Sequence, residues 1–364
     1  MQTSPSSFQT LSEILSQPEA WQDALDELAR QQGALRAFYA QHQPDHLIFL
    51  GCGSPYFLAR AGASLARGLT GILSEAHPGS DMWLFTDQTL IVGRSTVMVV
   101  ISRSGETTEV LKAIETFNAQ GGKAIAAVTC YDESTLARTI PLTLLAKAGQ
   151  EIGLAQTRSF TSMLILTQGL IYAFANRELS PRFLQLPQLG RALIEKYVDF
   201  AQQFGSTLNQ RFERVFFLGG GALYGLACEA MLKMKEMSLS LSEAYQTMEF
   251  RHGPMSMVNE QTLIVALVSE TATTAETQVL TEMRQRGATV LAVTPVTLPE
   301  AAADEQIVLP EGLTDAERGP LYLPILHLAI YHHTVAKGLN PDLPNNLTAV
   351  IELNDDHTNK AQLS

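Results

Sequence analysis

HLIFLGCGSPYFLARAG, from His46 to Gly62, returns as RVFFLGGGALYGLACEA from Arg214 to Ala230, 168 residues later. Leu50, Gly51, Gly53, Tyr56, Leu58 and Ala59 match Leu218, Gly219, Gly221, Tyr224, Leu226 and Ala227. Each copy reads as an apolar strand, a glycine-rich turn and an Ala/Leu-rich helix. The repeat continues downstream. TVMVVIS, ending at Ser102, parallels TLIVALVS, ending at Ser269, and GGKAIAAVT, ending at Thr129, parallels RGATVLAVT, ending at Thr294. These strands are nearly unbroken Val/Ile/Leu/Ala runs, as expected of strands buried on both faces of a parallel sheet. Helical stretches such as GETTEVLKAIETFNAQGG separate them and supply the crossovers. The expectation is an α/β protein of two tandem doubly wound parallel-sheet domains, with helices on both faces.

The first domain is expected over residues 30–180 and the second over 198–340. The joint is LSPRFLQLPQLG, Leu179 to Gly190, punctuated by two prolines and a glycine. Ahead of the first domain, residues 1–29 read as a helical segment, with Pro18 at a turn or in the first turn of a second helix. A C-terminal tail, residues 341–364, follows, and the Pro/Asn-rich stretch GLNPDLPNNLTAVIELN, Gly338 to Asn354, ends in a short strand-like run.

The 364 residues are 46% hydrophobic and 17% charged, which supports a sizeable core and excludes a disordered or collagen-like chain. A net charge of −12 makes nucleic-acid binding a poor fit. No apolar run approaches the roughly 18 residues of a membrane span, and Met1 to Ser16 lacks the basic and apolar regions of a signal peptide. A cytoplasmic protein with no membrane association is expected. Cys52, Cys130 and Cys228 are too few and too scattered for a disulfide framework or a zinc cluster and read as buried small hydrophobes. His332 and His333 lack metal-pair spacing. No metal or other cofactor is expected.

Candidate site residues come copy by copy. Gly53 and Ser54 follow the first strand, where helix N-termini present free N–H groups at the carboxyl edge of an open sheet. Ser102, Arg103, Ser104, Gly105, Glu106 and Thr107 follow the second strand. Their hydroxyls and close backbone approach suit a phosphate cradle, or else a serine cap with Glu106 completing a capping box. The second copy reads Ser269-Glu270-Thr271-Ala272-Thr273, without the Ser-Gly pair and with an acid in the turn. One phosphate site, in the first domain, is therefore expected. EAMLKMKEMSLSLSEAY reads as one helix with Lys233, Glu236 and Ser240 on a single face, which spacing alone cannot tell from a surface salt bridge. His252, in a Gly-Pro turn, is a candidate acid or base near neutral pH.

In order along nearly the whole chain, TLSEILSQP, GCGSPY, SRSGETTEV, GQEIGLAQTRSF, ALYGLACEAMLKMKE, SEAYQTMEFRHGP and KGLNPDLPNNL resemble the sugar isomerase (SIS) family. The likeness is nearest to the isomerase half of glucosamine-6-phosphate synthase and to related phosphosugar isomerases and deaminases. It implies flavodoxin-like domains and a sugar-phosphate substrate. By the resemblance, Ser102, Arg103, Ser104 and Thr107 hold the phosphate with Gly53 and Ser54 beside them, and Leu154, Ala155 and Gln156 line the sugar. Glu236 moves the proton between C1 and C2, and Lys233 lies near the substrate oxygens. His252 opens the sugar ring, usually from a neighbouring subunit, which implies a homodimer.

The departures narrow the activity. The chain shows no glutaminase half and no N-terminal cysteine nucleophile. Ala349 stands where the synthase's P-R-x-L-x-K tail carries its Schiff-base lysine, and Pro55 replaces a serine of the phosphate turn. A glutamine-dependent synthase is not expected. The expected reaction converts an amino-hexose 6-phosphate of the glucosamine 6-phosphate type to fructose 6-phosphate and ammonia, through a proton shift and hydrolysis of an imine equivalent. A plain aldose–ketose isomerase and a fructosamine-6-phosphate-type deglycase are the alternatives. A sugar-phosphate sensor is disfavoured because no basic recognition helix precedes residue 45.

Overall fold

The computed structural model describes residues 8–348. Ala349 and the strand-like run after it lie outside the described residues. Among the described residues, ten strands form two sheets of five. In the first are β1 (His46–Gly51), β2 (Leu73–Pro78), β3 (Thr96–Ile101), β4 (Ile125–Thr129) and β5 (Leu142–Leu145); in the second are β6 (Arg214–Gly219), β7 (Ser242–Tyr245), β8 (Thr262–Leu267), β9 (Thr289–Thr294) and β10 (Glu305–Val308). The orders are β2-β1-β3-β4-β5 and β7-β6-β8-β9-β10, the same doubly wound order twice, with every pairing parallel. The principal helices are α1 (Gln9–Leu15), α2 (Gln17–His42), α3 (Ser54–Thr70), α4 (Thr108–Ala119), α5 (Arg158–Phe174), α6 (Leu186–Arg211), α7 (Leu223–Ser238), α8 (Thr273–Gln285) and α9 (Pro324–Ala336). Pro18 sits in the first turn of α2, which runs unbroken past residue 30. None of the helices among the described residues is long and apolar enough to cross a membrane.

Alternate strand positions face opposite sides of a sheet. Leu47, Phe49, Val97 and Val99 of the first sheet share one core with Val215, Phe217, Leu263 and Val265 of the second. The opposite faces have separate cores, Ile48, Met98 and Val100 under α4 and Phe216, Ile264 and Ala266 under α8. The inner helices are therefore packed between two sheets, and the two copies fold around a common centre.

The glycines of the repeated turn act alike in both copies. A Cβ on Gly51 would lie 2.5 Å from the Pro55 carbonyl carbon, and one on Gly219 would lie 2.6 Å from the Leu223 carbonyl oxygen. Gly53 and Gly221 both take left-handed backbone, at φ +61° and +55°. α3 and α7 cross where Gly225 meets α3, and a Cβ there would be 2.5 Å from the Phe57 carbonyl oxygen. Phe57 holds the same place in the first copy that Gly225 holds in the second.

One helix departs from expectation. EAMLKMKEMSLSLSEAY does not stay helical to its end. α7 stops at Ser238, where Leu239 adopts a left-handed conformation at φ 52°, and Ser242–Tyr245 pairs with β6 as an edge strand. Ser240 thus leaves the face shared by Lys233 and Glu236; its hydroxyl meets His333 Nε2 at 2.8 Å.

Candidate active site

The switch point of the first sheet lies between β1 and β3, where Leu50 pairs with Val100 and the chain leaves each strand in opposite lateral directions. Ser54 opens α3 there, and Ser102 to Thr107 lead into α4. The Ser102 hydroxyl accepts from the Gly105 N–H at 3.1 Å and lies 3.3 Å from Thr107 Oγ1, while Ser104 Oγ accepts from the Glu106 N–H at 3.2 Å. Gly105 is left-handed at φ +67°, and a Cβ on it would fall 2.3 Å from Ser134 Oγ. No other residue fits this turn unchanged. Glu106 is not a capping-box partner: its carboxylate accepts from the Thr135 N–H at 2.6 Å, and Thr107 is the N-cap of α4. A cavity of about 360 Å³ opens beside the turn, walled by Ser104, Glu106, Tyr131 and Ile152.

The corresponding turn of the second copy is filled from within. Asp315 accepts from the N–H groups of Glu270 and Thr271 at 2.8 and 2.9 Å and from Thr271 Oγ1 at 2.8 Å. Glu276 accepts from the Ser269 N–H at 2.7 Å. Resident carboxylates occupy the donors that a bound anion would use. Asp315 comes from the segment between β10 and α9. The equivalent segment of the first copy, between β5 and α5, turns its acid elsewhere: Glu151 accepts from Thr157 N–H, at 2.7 Å, and from the hydroxyls of Thr157 and Ser159.

Arg103 joins the Ser102–Thr107 turn to the loop of Gly153 and Leu154. It is buried, and its guanidinium donates to the carbonyls of Leu154 at 3.0 Å and Gly153 at 3.4 Å, with Glu151 at 3.8 Å. The loop is clasped on its far side as well. Glu13 of α1 accepts from the Ile152 N–H at 2.6 Å. The Leu154 N–H donates to the Asp342 carbonyl at 3.1 Å, and the Asp342 carboxylate caps α1 through the N–H groups of Gln9 and Thr10. Ala155 is buried, and Gln156 presents a buried amide oxygen without a partner.

The charged cluster belongs to α7. Lys233 is 1% exposed, and its ammonium touches Glu236 Oε2 at 2.5 Å, Ser54 Oγ at 3.1 Å and Glu229 Oε1 at 3.4 Å. The ion pair is thus an interior one. Ser54 Oγ in turn donates to Glu229 at 3.1 Å, so a first-copy hydroxyl is held by second-copy charges. Burial alone would lower the ammonium's pKa, but the Glu229 and Glu236 carboxylates outweigh it and the net shift is upward. Burial pushes Glu229 up to about 7, against the opposing pull of Lys233. Glu236 stays partly open to solvent, its side chain 19% exposed, so the arrangement offers a carboxylate beside a fixed cation at the mouth of a buried network. Glu229 was readable from its i, i+4 spacing to Lys233 yet was not singled out; Glu13, Glu151 and Asp342 carry no such local signal.

His252 stands apart. It is exposed, at the end of a single 3₁₀ turn after β7, and does not join the Lys233 cluster of its own chain. Among the described residues no group of three His, Cys, Asp or Glu side chains is placed to hold a metal ion.

Comparison with known proteins bears on these features. A family model described as the SIS domain matches residues 42–173 and 208–312. The isomerizing glutamine–fructose-6-phosphate aminotransferase of Pyrobaculum aerophilum is 30% identical over 321 residues, covering 84% of this chain and 51% of that protein. The chain spans little more than half the length of the curated relatives it matches. Among solved structures, the tagatose-6-phosphate ketose/aldose isomerase of Escherichia coli superposes with a TM-score of 0.84 at 24% identity, covering 95% of this chain and 98% of that one, a likeness of fold. The glucosamine-6-phosphate deaminase of Thermotoga maritima superposes with a TM-score of 0.72 at 26% identity, covering 91% of this chain and all of that one.

Proposed function

The chain belongs to the SIS domain family, and on that premise we propose that it is a phosphosugar isomerase that deaminates an amino-hexose 6-phosphate of the glucosamine 6-phosphate type. The observation that carries this reading is the buried Lys233, held between Glu229, Glu236 and Ser54 beside the first-copy phosphate turn. The matching turn of the second copy is closed by its own carboxylates.

In this reading the substrate phosphate lies on the turn of Ser102, Arg103, Ser104 and Thr107, with Gly53 and Ser54 adjoining. Leu154, Ala155 and Gln156 line the sugar. Phosphate binding far from the reacting carbons fixes their position over Glu236. His252 of a second copy protonates the ring oxygen and takes the proton of the anomeric hydroxyl, giving the open aldehyde. Glu236 removes the C2 proton to form an enolamine and returns it to C1, leaving an imine at C2. Water adds to that imine, and ammonia departs to give fructose 6-phosphate. The Lys233 ammonium stabilises charge that grows on the substrate oxygen while the C2 proton is held by Glu236. No electron is gained or lost overall.

The test is ammonia release from glucosamine 6-phosphate and a panel of sister hexosamine phosphates, with glutamine omitted and fructose 6-phosphate measured alongside. Equal yields of ammonia and fructose 6-phosphate support the reading. Aldose–ketose exchange without ammonia would replace it with a plain isomerase, and amino-acid release from a fructosamine 6-phosphate would replace it with a deglycase.

A further inference from the structure

A cleft lies beside the crossing of α3 and α7, and the Lys233 cluster does not line it. Carrying Glu229, Lys233 and Glu236 back by the repeat offset of 168 lands on Ala61, Leu65 and Gly68. Ala61 and Leu65 line a separate, smaller cavity, and none of Glu229, Lys233 and Glu236 lines the cleft beside the crossing. This cleft has a volume of about 610 Å³ between α3, the end of β2 and the start of α7. That lies within the roughly 300–1,000 Å³ usual for small-molecule sites.

Its polar groups converge. Tyr56, Arg60 and Arg67 share one face of α3, at spacings that stack on successive turns. The Arg60 guanidinium lies 4.7 Å from the centre of the Tyr224 ring and 5.8 Å from that of Tyr56, and those two tyrosines are the same residue of the two copies. The rings hold the cation in place without neutralising it. Among the described residues no carboxylate pairs with Arg60. Arg67 donates to the Ser74 carbonyl, which pins its side chain at the cleft wall. His77 brings a buried Nε2 that has no partner. The acid of the wall, Glu75, faces His46 Nε2 at 3.1 Å.

We propose that this cleft binds a small phosphorylated metabolite, with its phosphate on Arg60 and its body against Tyr56 and Tyr224. A guanidinium matches phosphate by paired, charge-assisted N–H donors. The His77 imidazole and the exposed rim add donors to the remaining oxygens and hydroxyls. Neither Lys233 nor Glu236 lines the cleft, which holds its ligand without turning it over. This proposal does not depend on the reaction assigned to the Lys233 cluster.

Crystals of the full chain soaked in sodium tungstate, a heavy phosphate surrogate, give the direct test through anomalous maps. A peak within ion-pair reach of Arg60 is expected, and Arg60→Gln should remove that peak while sparing any at the Ser102–Thr107 turn. An empty cleft, or a peak that persists undiminished in Arg60→Gln, overturns the proposal. A peak at Arg60 with none at the turn leaves this proposal standing and counts instead against the turn as a phosphate site. Calorimetric titration in solution identifies the source of the phosphate. Glucose 6-phosphate and adenosine monophosphate are the probes, and one of them should bind at least tenfold more weakly to Arg60→Gln. Equal affinity of both probes for wild type and variant overturns it.

Discussion

Lys233 of the second copy reaches Ser54 of the first at 3.1 Å, so one hydrogen bond closes the seam between the repeats at the proposed catalytic centre. Two substitutions on α7 separate chemistry from folding. Glu236→Gln should lower turnover of the identified sugar phosphate by about 10²–10⁴-fold, with the melting temperature nearly unchanged, because the side chain is partly solvated. Lys233→Met should also abolish turnover, but it leaves Glu229 buried without its cation and should cost several kcal/mol of stability, on the order of 3–5. Full activity in Glu236→Gln would remove it from the mechanism.

Two buried groups predict opposite slopes of stability with pH. Glu229 is raised to about 7 by burial, so the folded state holds its proton more tightly than the unfolded chain. Its contribution is complete below its ordinary value of 4.5 and is lost as pH climbs toward 7. His327 is lowered to about 3 by burial, with Lys233 adding to the shift. Its contribution is complete above its ordinary 6.5 and is lost as pH falls toward 3. Denaturant titrations from pH 4 to 8 check the signs. Glu229→Gln should flatten the fall on the way up, and His327→Phe should weaken the loss on the way down.

The second-copy turn should behave as an anion site once its resident acid is gone. Asp315→Ala frees the N–H groups of Glu270 and Thr271, and the loss of these bonds should cost about 1–3 kcal/mol. Inorganic phosphate should then raise the melting temperature of the variant more than that of the wild type at equal ionic strength. Equal shifts in both proteins would show that the two turns are not equivalent cradles.

Gly225→Ala tests the helix crossing. The added methyl would meet the Phe57 carbonyl oxygen at 2.5 Å, a backbone atom that cannot swing aside. The expected cost is about 1–3 kcal/mol, read by chemical denaturation. Turnover should fall as well, since the same two helices carry Ser54 and Lys233. A variant as stable as wild type would mean that the helices separate without penalty.

How much of this was legible in the sequence follows from where each feature draws its signal. β1, β3 and β4 and their counterparts are buried on both faces, so their apolar runs announce them. β2, LSEAHP, and β7, SEAY, are edge strands with partly solvated, polar positions, and nothing local distinguishes them from loop or helix end. That is why Ser240 was expected on the face of Lys233. The Ser102–Thr107 turn was visible because glycine and hydroxyls cluster within a few residues. The plug on its counterpart was not, because Asp315 lies 45 residues from Glu270 and only the fold brings them together. Arg103 was legible as a charge within the Ser102–Thr107 turn. Its role as a strut for Gly153 and Leu154 depends on contacts about 50 residues away.

The meeting of Gly225 with Phe57 has one more consequence. Two copies that assembled across such a crossing as separate chains would come apart on dilution, and each would have to carry both halves of any shared centre. Here they are covalently joined, so their encounter is unimolecular and independent of protein concentration. The first copy can keep Ser54 with Leu65 and Gly68 in place of Lys233 and Glu236, and the second can keep Lys233 and Glu236 with Ala222 in place of Ser54. The pairing of Ser54 with Lys233 will therefore survive at any dilution, whereas the contribution proposed for His252 of a second copy should fade as the protein is diluted.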